Sequence, residues 1–259
     1  MRVRLLPYKM GSESAKLLAR GLGYKRIFAK GSRFIQRRGD IIINWGCSST
    51  DNQSIILPTA SVLNKFSSIK AASNKLTTLN LFNTSGISCP TYTIHHSDAK
   101  TWIEQGHIVY CRKTLTGKGG YGIVIANTIE ELVDAPLYTK GVKAGFEYRV
   151  HVFNGEVIDY VKKGRKRLEE GEERPSHLIR NYTKGWIFIR EGIELPEMVK
   201  QESIRAVKAL GLDFGAVDIA QVKNSEDVVV YEVNTAPGLQ GTTLEKYIEA
   251  IQKYINGGY

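Results

Sequence analysis

The sequence predicts an α+β protein that opens on a smaller α/β lobe, and three features of the pattern carry that reading. Short apolar and small-residue stretches alternate through residue 60, as in a layered α/β unit. Asn154-Gly155 separates two runs of strand-forming residues, a strong hairpin signal. Two further strand patterns, Ala216–Val222 and Val228–Asn234, flank the polar loop Lys223 to Asp227.

The elements follow in order. Val3, Leu5 and Leu6 open the chain, a small-residue helix spans Ser14–Arg20, and Ile41–Trp45 is strand-like. From Thr59 to Ser85 the spacing is helical, broken at Asn74, which is a good N-cap for a second helix carrying Leu76, Leu79 and Phe82; Gly86 supplies the left-handed stop. Cys89 to Thr139 reads strand, helix (Asp98–Gln105), strand (His107–Arg112), Gly-rich turn, strand (Gly122–Ala126), helix (Thr128–Val133) and strand (Leu137–Thr139). Strands Glu147–Phe153 and Glu156–Val161 form the hairpin, followed by a basic excursion. Pro196 starts a helix with Val199, Ala206, Val207 and Leu210 on one face and Gly211 past its end. Three lobes are expected, at 1–70, 71–139 and 140–259.

With 259 residues, 42% hydrophobic and 24% charged, the chain can bury a real core and is too apolar to be disordered. No apolar run approaches the ~18 residues that span a bilayer, and Met1 to Met10 lacks the apolar core of a secretory signal. No membrane association is expected, and the cytoplasm is the expected compartment. Cys47, Cys89 and Cys111 lie far apart without metal-ligand spacing, so neither a disulfide framework nor a zinc site is suggested. A net charge of +10 favours polyanionic partners such as nucleotides, acidic peptides or nucleic acid.

Gly117-Lys118-Gly119-Gly120-Tyr121-Gly122 fits G-x-G-x-x-G, a weak motif until its context is read. A dinucleotide fold would follow it with a helix, whereas Ile123–Ala126 reads as a strand. A P-loop needs Ser or Thr after Gly-Lys, and Gly119 stands there. A kinase is suggested by Asp213-Phe214-Gly215, but neither a V-A-I-K strand nor an H-R-D loop is present. What remains is Lys113 at the end of the strand before the loop, placed to neutralise phosphates covered by loop amides; a flexible hairpin with an incidental lysine is the competing reading.

Period-2 alternation sends Asp218 to the face opposite Val217 and Ile219, and puts Glu232 and Asn234 together opposite Tyr231 and Val233. Three oxygen-bearing side chains can thus converge on one sheet surface, a donor set that suits a hard ion such as Mg²⁺. The bland alternative is acids solvating an exposed sheet face. Thr235-Ala236-Pro237-Gly238 stops the strand immediately after Asn234.

Together these parts resemble the ATP-grasp superfamily, in the branch similar to the ribosomal-protein glutamate ligase and the lysine-biosynthesis ligases. Glu232-Val233-Asn234-Thr235-Ala236-Pro237-Gly238-Leu239-Gln240-Gly241 looks like that branch's metal motif. Ala209–Ile219, Asn74-Lys75, Gly86–Pro90, Lys113 with its loop, Glu147–Val150 and Arg180-Asn181 complete a resemblance covering roughly residues 60–245 in consistent order. The resemblance implies an ATP-grasp fold, with the nucleotide held between two α+β lobes. It implies that Lys75, Lys113 and the loop residues Gly117, Lys118, Gly119 and Gly120 bind phosphates, that Leu137, Tyr138 and Thr139 line adenine, and that Glu147 holds the ribose. Asp218, Glu232 and Asn234 would carry two Mg²⁺, Glu232 bridging, with Mn²⁺ as a substitute. The hinge reads Pro136-Leu137-Tyr138-Thr139 where relatives often carry an acid, so backbone groups alone would read the base.

The implied reaction converts a carboxylate into an acyl phosphate, which an amine then displaces to form an amide. Arg149, Lys162 and Arg180 are the candidates for stabilising the transferring phosphoryl group and the oxyanion, with Asn181 orienting substrate; each cation also reads as a solvated surface charge. Lys162 to Arg167, followed by Glu169, Glu170, Glu172 and Glu173, reads either as a loop that draws in an acidic substrate or as an exposed charged loop. The expected partners are a carboxylate substrate (an amino acid, peptide or protein tail), an amine and an acidic macromolecule; a homodimer and a tetramer both stay open. Two other classes compete with the ligase. A regulatory Mg-ATP-binding module would bind nucleotide without turnover, and a basic nucleic-acid binder would ignore ATP.

Overall fold

In the computed structural model, which describes residues 1–57, 61–117, 120–165 and 185–258, three sheets organise the chain. The first lobe comprises β1 (Val3–Pro7), α1 (Glu13–Leu22), β2 (Lys25–Arg26), β3 (Ile41–Trp45), α2 (Thr50–Gln53) and β4 (Ser61–Leu63). Its parallel sheet, ordered β2-β1-β3-β4, is the expected α/β layer. Ser12 caps α1 by accepting from Ala15 N–H, and Gly23 closes it in the left-handed region.

Two helices follow, α3 (Phe66–Ser73) and α4 (Lys75–Thr84), with Asn74 Oδ1 accepting from Thr77 N–H as the expected N-cap. Ile69, Phe82 and Ile87 bury themselves in the core of the last lobe, so the pair packs there although the pattern assigns residues 71–85 to the middle lobe. The middle lobe's sheet, β5-β8-β6-β7, is built from β5 (Tyr92–Thr93), β6 (Val109–Arg112), β7 (Ile123–Ala126) and β8 (Leu137–Lys140), with α5 (His96–Glu104) on one face. β6 and β7 pair antiparallel with Arg112 opposite Ile123, so the Gly-rich loop does join two strands. The helix expected at Thr128–Val133 does not form. Glu131 Oε2 reaches back to the N–H groups of Asn127 and Thr128 as a helix-start cap, but the chain turns off before Pro136, whose ring disfavours helical geometry in the residue before it.

The last lobe is a five-stranded sheet ordered β11-β10-β9-β12-β13, from β9 (Ala144–Phe153), β10 (Glu156–Arg165), β11 (Trp186–Ile189), β12 (Phe214–Val222) and β13 (Val228–Asn234). Asn154 (φ 47°) and Gly155 (φ 80°) make the turn between β9 and β10, where two successive positive φ values suit Asn-Gly. Helix α6 (Glu197–Ala209) covers one face through Val199, Ala206 and Val207, packed on Tyr148, Val150, Val217 and Ile219. A helix beyond the elements the pattern defines, α7 (Thr243–Ile255), covers the far end of the opposite face and docks the first lobe.

That docking is aromatic and polar at once. Trp45 stacks on Phe214 at 5.2 Å and meets Tyr247 edge-on at 5.3 Å. Fully buried rings of this size contribute about 1.5–3 kcal/mol each. Asn64, buried and at φ 61°, accepts from Asp213 and Phe214 N–H and donates to Phe214 C=O, which ties the end of β4 to the start of β12. No helix among the described residues is long and apolar enough to cross a membrane.

Candidate active site

A cleft of about 1690 Å³ opens between the middle and last sheets, and Tyr8 and Gly46 of the first lobe close one end. Gly46 is needed there: its φ is 77°, and a Cβ would stand 2.6 Å from that of Ala236. The volume exceeds the roughly 300–1,000 Å³ of an ordinary ligand pocket, so two reactants fit side by side.

The floor is the cleft face of the last sheet. Alternation on β9 sends Tyr148 and Val150 to α6 and sends Glu147 and Arg149 to the cleft. Asp218 pairs in register with Arg149 on one side and Glu232 on the other, so the three side chains stand in a row across neighbouring strands. Arg149 donates Nε and Nη2 to the two Asp218 oxygens at 2.9 and 2.8 Å, a bidentate pair. Burial alone would raise Asp218, but Arg149 and Lys163 more than reverse it and hold the carboxyl well below the usual range. Asp218 in turn holds Arg149 above its ordinary value.

Glu232 behaves oppositely. Burial and the neighbouring Asp218 charge raise its pKa against the pull of Lys75, Arg149 and Arg112. Asn234 Nδ2 lies 3.4 Å from an oxygen of each acid. Asp218, Glu232 and Asn234 therefore do converge, as their alternation implies. Two carboxylates and a carboxamide form an all-oxygen set for a hard dication, because the amide can turn Oδ1 to where Nδ2 points now. Among the described residues no group of three or more His, Cys, Asp or Glu forms a metal cage, so such an ion would complete its shell with other oxygens.

Lys75 faces this row from the start of α4, its Nζ donating to Gly117 C=O at 3.3 Å; burial lowers its pKa, partly countered by Glu232. Glu147 lines the cleft and receives Lys163 Nζ at 3.2 Å. Gly117 and Gly120 line the cleft from the loop; Lys118, Gly119, Arg180 and Asn181 lie outside the described residues.

Three expected placements are corrected. Lys113, one residue past β6, is exposed and does not line the cleft, whereas Arg112 does, with Nε 3.4 Å from Thr139 Oγ1. Its burial lowers the guanidinium's pKa, and Glu232 counters. Lys162 pairs with Tyr148 and shares its face, away from the cleft, with Nζ 5.0 Å from the Phe146 ring centre; Lys163 is the cleft lysine, 3.8 Å from Asp218. Leu137 and Tyr138 are buried in the middle lobe, and the wall at this point runs from Thr139 to Lys143.

Part of this was readable. Alternation in Val109–Arg112 separates Val109 and Cys111 from Tyr110 and Arg112, which already sets Arg112 opposite the apolar face. Lys163 gives no such signal, because β10 shifts register between Val157 and Asp159.

Comparison with known proteins identifies the fold and the family. Residues 72–256 match the model of the RimK-like ATP-grasp domain. A "probable alpha-L-glutamate ligase" of Chromohalobacter salexigens is 30% identical over 224 residues, covering 80% of this chain and 69% of the relative. One from Vibrio vulnificus is 32% identical over 198 residues, covering 70% and 61%. The chain thus spans about two-thirds of the length of these curated relatives. The ATP-grasp ligase PsnB, in complex with a minimal precursor, Mg and ADP, superimposes with a TM-score of 0.67 at 16% identity over 98% of both chains. The D-alanine–D-alanine ligase of Bacillus anthracis in complex with ATP gives 0.67 at 15% identity over 100% of this chain and 99% of that one. The fold is the ATP-grasp fold, and with 185 consecutive residues matching one family model, the chain belongs to the RimK-like ATP-grasp family.

Proposed function

We propose that this protein is a Mg-ATP-dependent ligase that activates a carboxylate as its acyl phosphate and joins it to an amine. The observation that supports the reading most is the meeting of Asp218, Glu232 and Asn234 with Lys75, Arg112 and Arg149 in one cleft between two sheets. When bound, Mg-ATP supplies the γ-phosphoryl group that turns a carboxylate oxygen into a leaving group. Asp218, Glu232 and Asn234 would hold the metal, two Mg²⁺ on the family resemblance, with Mn²⁺ as a substitute. Lys75 and Arg112 neutralise phosphate oxygens; both are already desolvated, so little reorganisation is needed when charge develops.

Thr139 to Lys143 lie along the base, and Glu147 accepts from the ribose hydroxyls. Arg149 keeps Asp218 ionised and, with Lys163, faces the carboxylate being activated and the later tetrahedral oxyanion. Trp186, Ile187 and Phe188 border the cleft where the second substrate enters, an apolar rim that limits water at the reactive acyl group.

The relatives' name, alpha-L-glutamate ligase, makes glutamate the first substrate to supply, as amine and as acid, and the neighbours solved with precursor peptides add peptides to the panel. The test is intact-mass detection alongside ADP release. A product of the summed masses less one water, with ADP formed only when acid and amine are both present, supports the ligase. Mg-nucleotide binding with no product from any pair would replace it with a regulatory module.

A further inference from the structure

Charge is distributed unevenly along this chain. Eleven of the first forty residues are Lys or Arg and two are acidic, so this stretch carries +9 of the net +10. Neither acid is available to balance the surface. Asp40 is 3% exposed, with both oxygens held by Arg2 and one also accepting from Arg37 N–H. Glu13 pairs with Lys16 on α1.

The cations do not belong to the cleft. β1 and β3 run parallel and carry Tyr8 and Gly46 to it at their C-terminal ends. Arg2 and Asp40 mark the opposite ends, roughly 17 Å away along five-residue strands. Between them the segment 28–40 is fastened to the sheet. Phe34 lies under two guanidinium groups, 5.5 Å from Arg2 and 6.0 Å from Arg4. Arg2 donates to Ile35 C=O, and the buried Gln36 accepts from Leu57 N–H. A segment so anchored presents Arg33, Arg37 and Arg38 outward, all exposed, beside Lys25 on the open edge strand β2. One or two lysines suffice to keep a sheet edge from pairing; this face carries far more.

We propose that this face docks the sugar–phosphate backbone of a nucleic acid, apart from the cleft and independently of the ligase reading. Arginine outnumbers lysine on it, and the guanidinium fork matches phosphate oxygens two at a time. Cations spread over an anchored segment and a strand edge suit charges that recur at fixed spacing, which a phosphodiester chain supplies and a flexible acidic peptide does not. An anionic bilayer fits less well. The amphipathic helix of this lobe, α1, has already buried Ala15, Leu18, Ala19 and Leu22, leaving no apolar stripe to insert.

Fluorescence anisotropy of the full chain with a labelled single-stranded RNA and a DNA duplex of about 20 units, between about 50 and 200 mM salt, tests the assignment. Wild type binds at least one of them with an affinity that falls steeply with salt. The triple variant R33Q/R37Q/R38Q binds at least about tenfold more weakly and loses roughly 2–3 units of log–log salt slope, at about 0.7–0.9 per lost phosphate contact. Its melting temperature and Mg-nucleotide binding stay unchanged, because none of the three lines the cleft. Equal affinity in the triple variant would overturn the proposal. So would a wild-type preference for phosphatidylserine vesicles or poly-glutamate at equal anionic charge.

Discussion

Replacing Glu232 by Gln separates the electrostatic cost of the acidic row from its purpose. Asp218 and Glu232 are register partners, and one amide nitrogen reaches both at 3.4 Å, so their carboxylates stand close together. At a separation of roughly 6 Å and an effective dielectric near 20, two like charges repel by about 3 kcal/mol. Lys75, Arg149 and Arg112 offset most of this. The unliganded protein is left with a penalty on the order of 1 kcal/mol, equivalent to roughly 2–4 °C in a chain of this size. E232Q keeps the shape and the acceptor oxygen, so it should melt about 2–4 °C above wild type without ligand. Wild type should gain strongly from Mg²⁺ plus a non-hydrolysable ATP analogue, by about 2.7 kcal/mol at a hundredfold excess over Kd, whereas E232Q should gain little. Differential scanning calorimetry of both proteins, with and without Mg-nucleotide, reads both effects. A variant less stable than wild type without ligand, or one that keeps the full Mg-nucleotide shift, refutes the reasoning.

Further expectations follow from the cleft. R112M should weaken nucleotide binding by at least about tenfold, the size of one charged hydrogen bond, while K113M changes it less; the reverse order in a titration calorimeter would return the phosphate contact to Lys113. K163M should lower kcat by at least about tenfold with K162M near wild type, since only Lys163 faces Asp218, and equal losses in steady-state ADP release would contradict the face assignment. Burial holds His151 neutral down to about 4, below its ordinary 6.5, with Nδ1 3.2 Å from the Tyr247 hydroxyl. The unfolded chain therefore binds the extra proton, and stability falls as pH drops from 6.5 towards 4, by about 3 kcal/mol at most. H151Q should lack that component in urea unfolding at pH 7 and pH 4.5; an identical pH dependence would contradict it.

How much of this was legible in the sequence depends on how local each signal is. Asn154-Gly155, Asn74 and the alternation of Val228–Asn234 act through their own backbone, and the structure places them as the pattern implies. Thr128–Val133 reads as helix by composition, yet the chain makes only turns there before it runs out to Pro136, whose ring disfavours helical geometry at Ala135. Lys162 and Lys163 are adjacent and alike, and only the register of β10 against β9 decides which one meets Asp218. Likewise, the packing of α3 and α4 on the last lobe is a tertiary choice of Ile69 and Phe82 that no local spacing reveals. The convergence of Asp218, Glu232 and Asn234 was legible because adjacent antiparallel strands with matched alternation leave few other arrangements.

Oxygen transfer tests the central claim most directly. With the acceptor carboxylate labelled with ¹⁸O, activation as an acyl phosphate followed by amine attack places one labelled oxygen in the released inorganic phosphate for each amide formed. Mass analysis should find that ratio at unity. Amide formation with unlabelled phosphate, or with the label in a nucleoside monophosphate, would contradict the account.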